Sequence, residues 1–279
     1  MGIFGIENYQ FTSISIATNT SFVIEIGNYQ DANQVFAQLL TTLPQNDSAV
    51  AAIGYTTRSA EEQRSAVALF AIDGIPALAA NGFTDVVLAI FPSGDVIDQE
   101  LEKFNQTGRI GAEMRRFIDV LDRPNFELLL AQARQYHITL HAGGVNYTDV
   151  DRTIFHPGYG IEHSPTQRLR DETARNSEVV IRALVAEGKR VAFFGPCLYV
   201  NPHPRSERAY YSFGRVLAHD FPNHFTAINI VIPEITVGQS YRKDLDLPLN
   251  FPWVQIIPQI GINLITCDRN SHLIVLPRH

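Results

Sequence analysis

The sequence predicts an α/β fold: a mostly parallel central sheet flanked by helices, with a less regular β-rich C-terminal end. Three observations predict it. Short apolar runs alternate with longer stretches of helical period. The breaks between them carry Gly, Pro, Asn and Asp. The 279 residues, 45% of them hydrophobic, suffice for one large core. We read a single α/β domain, with the core over about residues 20–235 and the β-rich extension over 236–279.

The elements follow in order. Phe22 to Ile26 is a short apolar run that reads as a strand; it ends in Gly27, turns through Asn28-Tyr29-Gln30 and enters a helix over Asp31–Leu43. A helical region follows from Ser59 to Ala80, opened by "SAEE", in which Ser and Glu three positions apart can satisfy each other's backbone N–H groups. "TDVVLAIFP", Thr84–Pro92, is the next strand. "DQELEKF" and "MRRFIDVL…NFELLLAQARQY" supply helices, broken at Asp122-Arg123-Pro124. Strand "HITLHA", His137–Ala142, runs into a loop of about twenty residues, a length that in compact domains marks function or mobility. The helix "SPTQRLRDETARNSEVVIRALVAEG" then closes with Gly188 in the C-cap role. Strands "RVAFFG" and "TAINIVIPE" and a hairpin-like tail from Trp253 to Pro277 complete the chain.

Composition excludes several classes. A formal charge of −7 with no basic block argues against nucleic acid and anionic membrane as partners, because phosphates are held by clustered Lys and Arg. No apolar run reaches the roughly 18 residues of a membrane span, and the N-terminus lacks the basic segment of a secretory signal. Ile6 stands where a myristoylation signal wants Ser or Thr. Two cysteines, Cys197 and Cys267, are too few for a disulfide scaffold or a thiolate zinc site. The expectation is a cytoplasmic protein whose partner is a small molecule or peptide, with room for a homo-oligomer. Phosphate-loop, nucleophile-elbow and GxGxxG signatures are missing, so no nucleotide cofactor is expected.

Three stretches carry a resemblance. In the first, a strand ends in Gly27-Asn28-Tyr29-Gln30 and a helix follows. The second is "VVLAIFPSGDVIDQELEKFNQTG", and the third "RNSEVVIRALVAEGKRVAFFGPCLYV". Together they resemble the ChaN-like and erythromycin-esterase-like families of the Tiki/TraB grouping, over roughly Phe22 to Ile232. Those families show Gly-Glu-x-His at the first place, Glu at the position of Ala89, and Asp and His at the positions of Asn176 and Leu198. Arg175 is kept. The resemblance implies a site whose acid and base are replaced by amides, alanine and leucine, which cannot exchange protons near neutral pH. It also suggests haem without supplying its ligands.

The residues themselves offer candidates. Glu25 lies inside an apolar strand, where a carboxylate is costly unless paired. It is either a relocated acid or base, or a salt-bridged or edge-strand carboxylate. His141 stands near a strand end, where open parallel sheets keep their ligand crevice. It serves as a base or ligand there, or bonds the adjoining loop. Arg175 suits a carboxylate or phosphate, or is an exposed helix charge. Asn28 and Gln30 offer amides to a ligand, while His156 and His163, flanking Glu162, lie in the long loop without HExxH spacing. Cys197 is a reactive thiol or a small buried hydrophobe. Tyr199 and His203 are possible haem contacts or packing residues.

The first functional expectation is a metal-independent acid/base enzyme of the hydrolase, lyase or cyclase type. It would act on a small molecule or modified peptide in a crevice at the C-terminal ends of the strands, using Glu25, His141 and Arg175 and no cofactor. The alternative is a non-catalytic protein binding haem or another small ligand through Tyr199, His141 or His203.

Overall fold

The computed structural model describes residues 11–16, 22–55, 60–145, 165–232, 258 and 260–277. Its strands are β1 (Phe11–Ile16), β2 (Phe22–Tyr29), β3 (Ala49–Tyr55), β4 (Asp85–Pro92), β5 (Thr139–Gly144), β6 (Arg190–Pro196), β7 (Phe225–Val231), β8 (Ile262–Asp268) and β9 (Ser271–Val275). They join in one sheet of order β1-β2-β8-β9-β7-β3-β6-β4-β5. From β9 to β5 every neighbouring pair is parallel. On the other flank β1, β2, β8 and β9 pair antiparallel, so the expected β-rich C-terminal end continues the main sheet and takes up the N-terminal hairpin.

The parallel strands are buried along their length, as βαβ crossovers require: all seven residues of β3 and of β7 are buried. Helices α1 (Ala32–Thr41), α2 (Ala60–Leu69), α3 (Ile75–Ala80) and α6 (Arg123–Gln135) cover one face, packing Phe36, Phe70, Leu78 and Leu129 on Ile53, Phe194 and Ile228. Helices α7 (Pro165–Ala186), α8 (Cys197–Val200) and α9 (Gly214–Asp220) cover the other, around Val50, Phe193 and Phe225. Helix α4 (Asp95–Thr107) stands beside β5, and α5 (Ala112–Leu121) packs on α4 and α6. Among the described residues no helix is long and apolar enough to cross a membrane.

Local chemistry sets the boundaries. The Asp31 carboxylate accepts the Gln34 N–H at 2.9 Å and starts α1. Between α2 and α3 the helix widens into a π turn over Phe70–Gly74. Pro76, at the start of α3, brings no N–H to the regular ladder, and the Ile75 N–H bonds Phe70 instead. Gly188 follows α7 at φ 81°, the conformation its C-cap reading requires. At the sheet edge Asn105 of α4 exchanges two 3.0 Å bonds with the Leu140 backbone of β5. That pairing occupies an outer edge that would otherwise offer itself to another strand.

Two placements depart from the sequence reading. That reading passes from a helix ending at Leu43 to one beginning at Ser59, and so misses β3, the strand between β6 and β7. It also counts the strand of Phe22–Ile26 in a mostly parallel core, whereas β2 pairs antiparallel with β1 and β8 and lies six strand spacings from β4, the strand of Ala89. At about 4.8 Å per spacing the two lie roughly 29 Å apart.

Candidate functional site

The C-terminal tips of the parallel strands, where a crevice is expected, are closed in the middle of the sheet. Gly54 near the end of β3 has no room for a side chain: a Cβ there would strike the side-chain Oδ1 of Asn229, Val200 and, at 2.8 Å, the Cys197 backbone. Helix α8 thus sits directly on the strand ends. Cys197 is buried, and Tyr199 packs edge-on against Phe193 at 6.4 Å. The Ser212 hydroxyl bridges the carbonyls of Tyr199 (3.0 Å) and Asn201 (2.6 Å), fastening the chain beyond α8. Asn176 and Ser177 of α7 donate to the Gly143 carbonyl at 3.1 and 2.7 Å and hold the end of β5.

The candidate residues are dispersed. Glu25 lies in β2, its backbone opposite Ser13 and Thr266, seven strand spacings or about 34 Å from β5 and His141. These two cannot serve one reacting group. Asn28 donates to Asn263 at 2.9 Å and to the Ile260 carbonyl at 3.2 Å, holding β2 to β8, and Gln30 is exposed beyond the strand end. Ala89 and Leu198 do share one neighbourhood, packed against the cluster under α7 and α8. Arg175 projects into solvent, its side chain 73% exposed and 3.5 Å from Asp171 one turn away. His156 and His163 lie outside the described residues.

His141 points toward the other end of the sheet. Its Nε2 lies 2.7 Å from the carboxylate of Asp85, the first residue of β4. Asp85 is buried and also takes Lys189 at 3.3 Å and the Thr84 hydroxyl at 2.6 Å. Burial alone would raise its carboxyl; the bonds from His141 and Thr84 and the charges of His141 and Lys189 outweigh that and hold it below the ordinary carboxylate value.

His203 has the arrangement of an oriented acid/base group. Pro202 and Pro204 flank it, limiting its backbone freedom, and its N–H donates to Asn201 at 2.8 Å. Its Nε2 meets the Asp268 carboxylate at 2.9 Å while the side chain stays 69% exposed. Asp268 ends β8 beside a register shift in the β8–β9 pairing, and its other oxygen accepts the Asn270 N–H at 2.7 Å. The Asp268 bond raises the His203 pKa above its usual value. Burial would push the Asp268 carboxyl up, yet the bonds from His203 and Asn270 pull it below the ordinary value. Behind it His272 is buried, 3.2 Å from the Thr266 hydroxyl and bonded to the Arg269 backbone; burial drives its pKa down to about 4, so it is neutral. Burial pushes the adjacent Cys267 thiol up to about 12, which removes it as a nucleophile. The Ala227 N–H bonds Asn270 at 2.8 Å and places this site beside the first half of β7, away from the strand tips.

Asp268, Asp85 and His272 were not singled out from sequence. Asp268 had one weak signal, the turn-forming run "CDRNSH". The proposed haem contacts do not form a ligand set: Tyr199 is buried against Phe193, His141 bonds Asp85, and five strand spacings separate β5 from the β9 hairpin beside His203. Among the described residues no group of three or more His, Cys, Asp or Glu could hold a metal ion.

No family model and no curated protein matches the chain. Solved structures similar to it include the RRSP effector domain of a MARTX toxin from Vibrio vulnificus, at 17% identity and TM-score 0.49, covering 70% of this chain and 35% of that one. The C-terminal region of Pasteurella multocida toxin, described with a thiol-protease-like catalytic triad, is similar at 17% identity and TM-score 0.41, covering 62% of this chain and 21% of that one. ChaN of Campylobacter jejuni, described with cofacial haem binding, is similar at 11% identity and TM-score 0.42, covering 71% and 84%. The chain therefore spans about a third or less of the two toxin structures. At such identities a likeness of chain trace carries no residue role across.

Proposed function

We propose that the protein is an acid/base enzyme acting on a small molecule or peptide, with His203 as its proton-transfer group and Asp268 as the carboxylate that orients it. One observation carries this reading: an exposed imidazole bonded at 2.9 Å to a carboxylate that a backbone N–H at 2.7 Å in turn holds in place. With Nε2 engaged by Asp268, Nδ1 is the nitrogen that meets substrate. The Asp268 carboxylate raises the His203 pKa and so favours the imidazolium, the form that gives a proton to a substrate. Hydrolysis, elimination and cyclisation all need only such a group and a bound substrate.

The test incubates the whole protein with mixtures of small metabolites and peptides and follows products by mass spectrometry, comparing wild type with His203→Gln. Glutamine keeps a hydrogen-bonding amide but cannot exchange protons. Turnover should fall by roughly 10²- to 10⁴-fold. Products formed equally fast by His203→Gln would sink the proposal.

A further inference from the structure

Several arginines on the surface of this protein pair with carboxylates. Arg123 bonds Glu127 at 2.9 Å, and Arg182 bonds Glu178 at 2.7 Å and Asp220 at 2.5 Å. Arg190, the first residue of β6, is the most deeply buried arginine described and differs from them, at 6% exposure. Among the described residues no carboxylate pairs with it, and burial alone lowers its pKa. Its Nη1 donates to the Pro44 carbonyl and, at 3.4 Å, to that of Asp47, while its guanidinium lies over the Phe83 ring at 4.6 Å. Nε and Nη2 are buried and have no hydrogen-bond partner.

Those two atoms are not a random pair. Nε–H and the adjacent N–H of Nη2 point the same way and form the side-on edge of the guanidinium, the edge that takes two oxygens of one carboxylate or phosphate. A buried donor without an acceptor is costly, and a buried cation without an anion more so. Lys189 next door is engaged by Asp85 and Glu187 and does not compete. Beside Nε stands Gly82 at φ 74°, where a Cβ would come within 3.9 Å of that nitrogen.

We propose that the Nε/Nη2 edge of Arg190 is a binding site for a small oxyanion, the carboxylate or phosphate group of a metabolite, enclosed between the Pro44–Ser48 and Asn81–Thr84 turns. Gln45, Asn46 and Asp47 are exposed and lie outside the sheet, so this turn is the wall between the Arg190 edge and solvent. The ligand is limited to a single charged group by the enclosure. The site stands at the start of the parallel strands and is independent of His203.

Thermal unfolding of the whole chain tests it, with phosphate, acetate and chloride at matched ionic strength. At ten times its dissociation constant the preferred oxyanion should lower the unfolding equilibrium constant about tenfold. Phosphate and acetate arms separate the two ligand sources by relative affinity, and chloride reports screening alone. Arg190→Lys keeps the charge and loses the planar edge, so its response should fall to the chloride level. A wild-type response to oxyanions no larger than to chloride, or an undiminished response in Arg190→Lys, overturns the site. Should Arg190→Lys not fold, the Nε–H resonance of wild-type Arg190 decides: a saturable shift with phosphate or acetate supports the site, and an unmoved resonance refutes it.

Discussion

Two His–Asp pairs in this protein, His141–Asp85 and His203–Asp268, have nearly the same bond length, 2.7 and 2.9 Å, and opposite surroundings. The Asp85 side chain is 3% exposed and surrounded by His141, Lys189 and Thr84, so its imidazole partner is one of several groups neutralising a buried charge. The Asp268 side chain is 37% exposed and supports an imidazole that is mostly in solvent. The difference teaches that the bond itself does not mark an active site. What matters is whether the imidazole retains a nitrogen that a substrate can reach.

The largest expected effect breaks the comparison at its buried member. Asp85→Asn takes the buried shared acceptor from His141, Thr84 and Lys189, where a hydrogen bond to a charged group is worth about 1.5 to 3 kcal/mol, and should cost about 3 to 4 kcal/mol in denaturant titrations at neutral pH. A loss below 1 kcal/mol would mean that Asp85 is no more structural than Asp268. A second, smaller effect comes from acid. His272 has a pKa of about 4 in the folded chain against 6.5 for the free group, so the unfolded chain takes up the proton first as pH falls. Its contribution is complete above pH 6.5, declines between 6.5 and about 4, and amounts to something on the order of 3 kcal/mol. Unfolding free energies across that window should show the slope, and His272→Gln should flatten it. His203 works in the opposite sense: its raised value gives stabilisation that is full below 6.5 and fades as pH climbs through the folded value. The smallest effect belongs to Asp268→Asn. Stability should change by about 1 kcal/mol or less, because the pair is exposed. The imidazole of His203, followed by NMR, should nevertheless titrate at a lower pH than in wild type. An unchanged titration would separate His203 from its carboxylate and leave the two pairs without the proposed distinction.

Much of the fold was legible because periodicity and punctuation carried it. The helices around Asp31–Leu43 and Pro165–Gly188 and the strands of β4, β6 and β7 announce themselves by caps, glycines and apolar runs. Strand β3 did not, since "AVAAIGY" is uniformly small and apolar and has no alternation to separate strand from helix. Strand β2 was legible as a strand but not in its place, because its partner β8 lies some 235 residues away and no local pattern names a distant neighbour. The same limit applies to the site. His203 stood out as an imidazole in "NPHPR", whereas Asp268 becomes its partner only when the hairpin of β8 and β9 reaches the chain beyond α8. Arg175 was noticed for its chemistry, and only burial separates it from Arg190.

The attachment of the N-terminal hairpin through β8 has a consequence for how the chain assembles. Strands β3 to β7 lie in an uninterrupted stretch of sequence and can meet early, but β2 finds its second neighbour only after β8 has been synthesised. So non-local a pairing waits for β8 and follows the contacts that β3 to β7 can make among themselves. Until then an apolar strand waits on the nascent chain with one side unclaimed, so a ribosome stalled before residue 262 would present a sticky edge to whatever chaperone or neighbour arrives first.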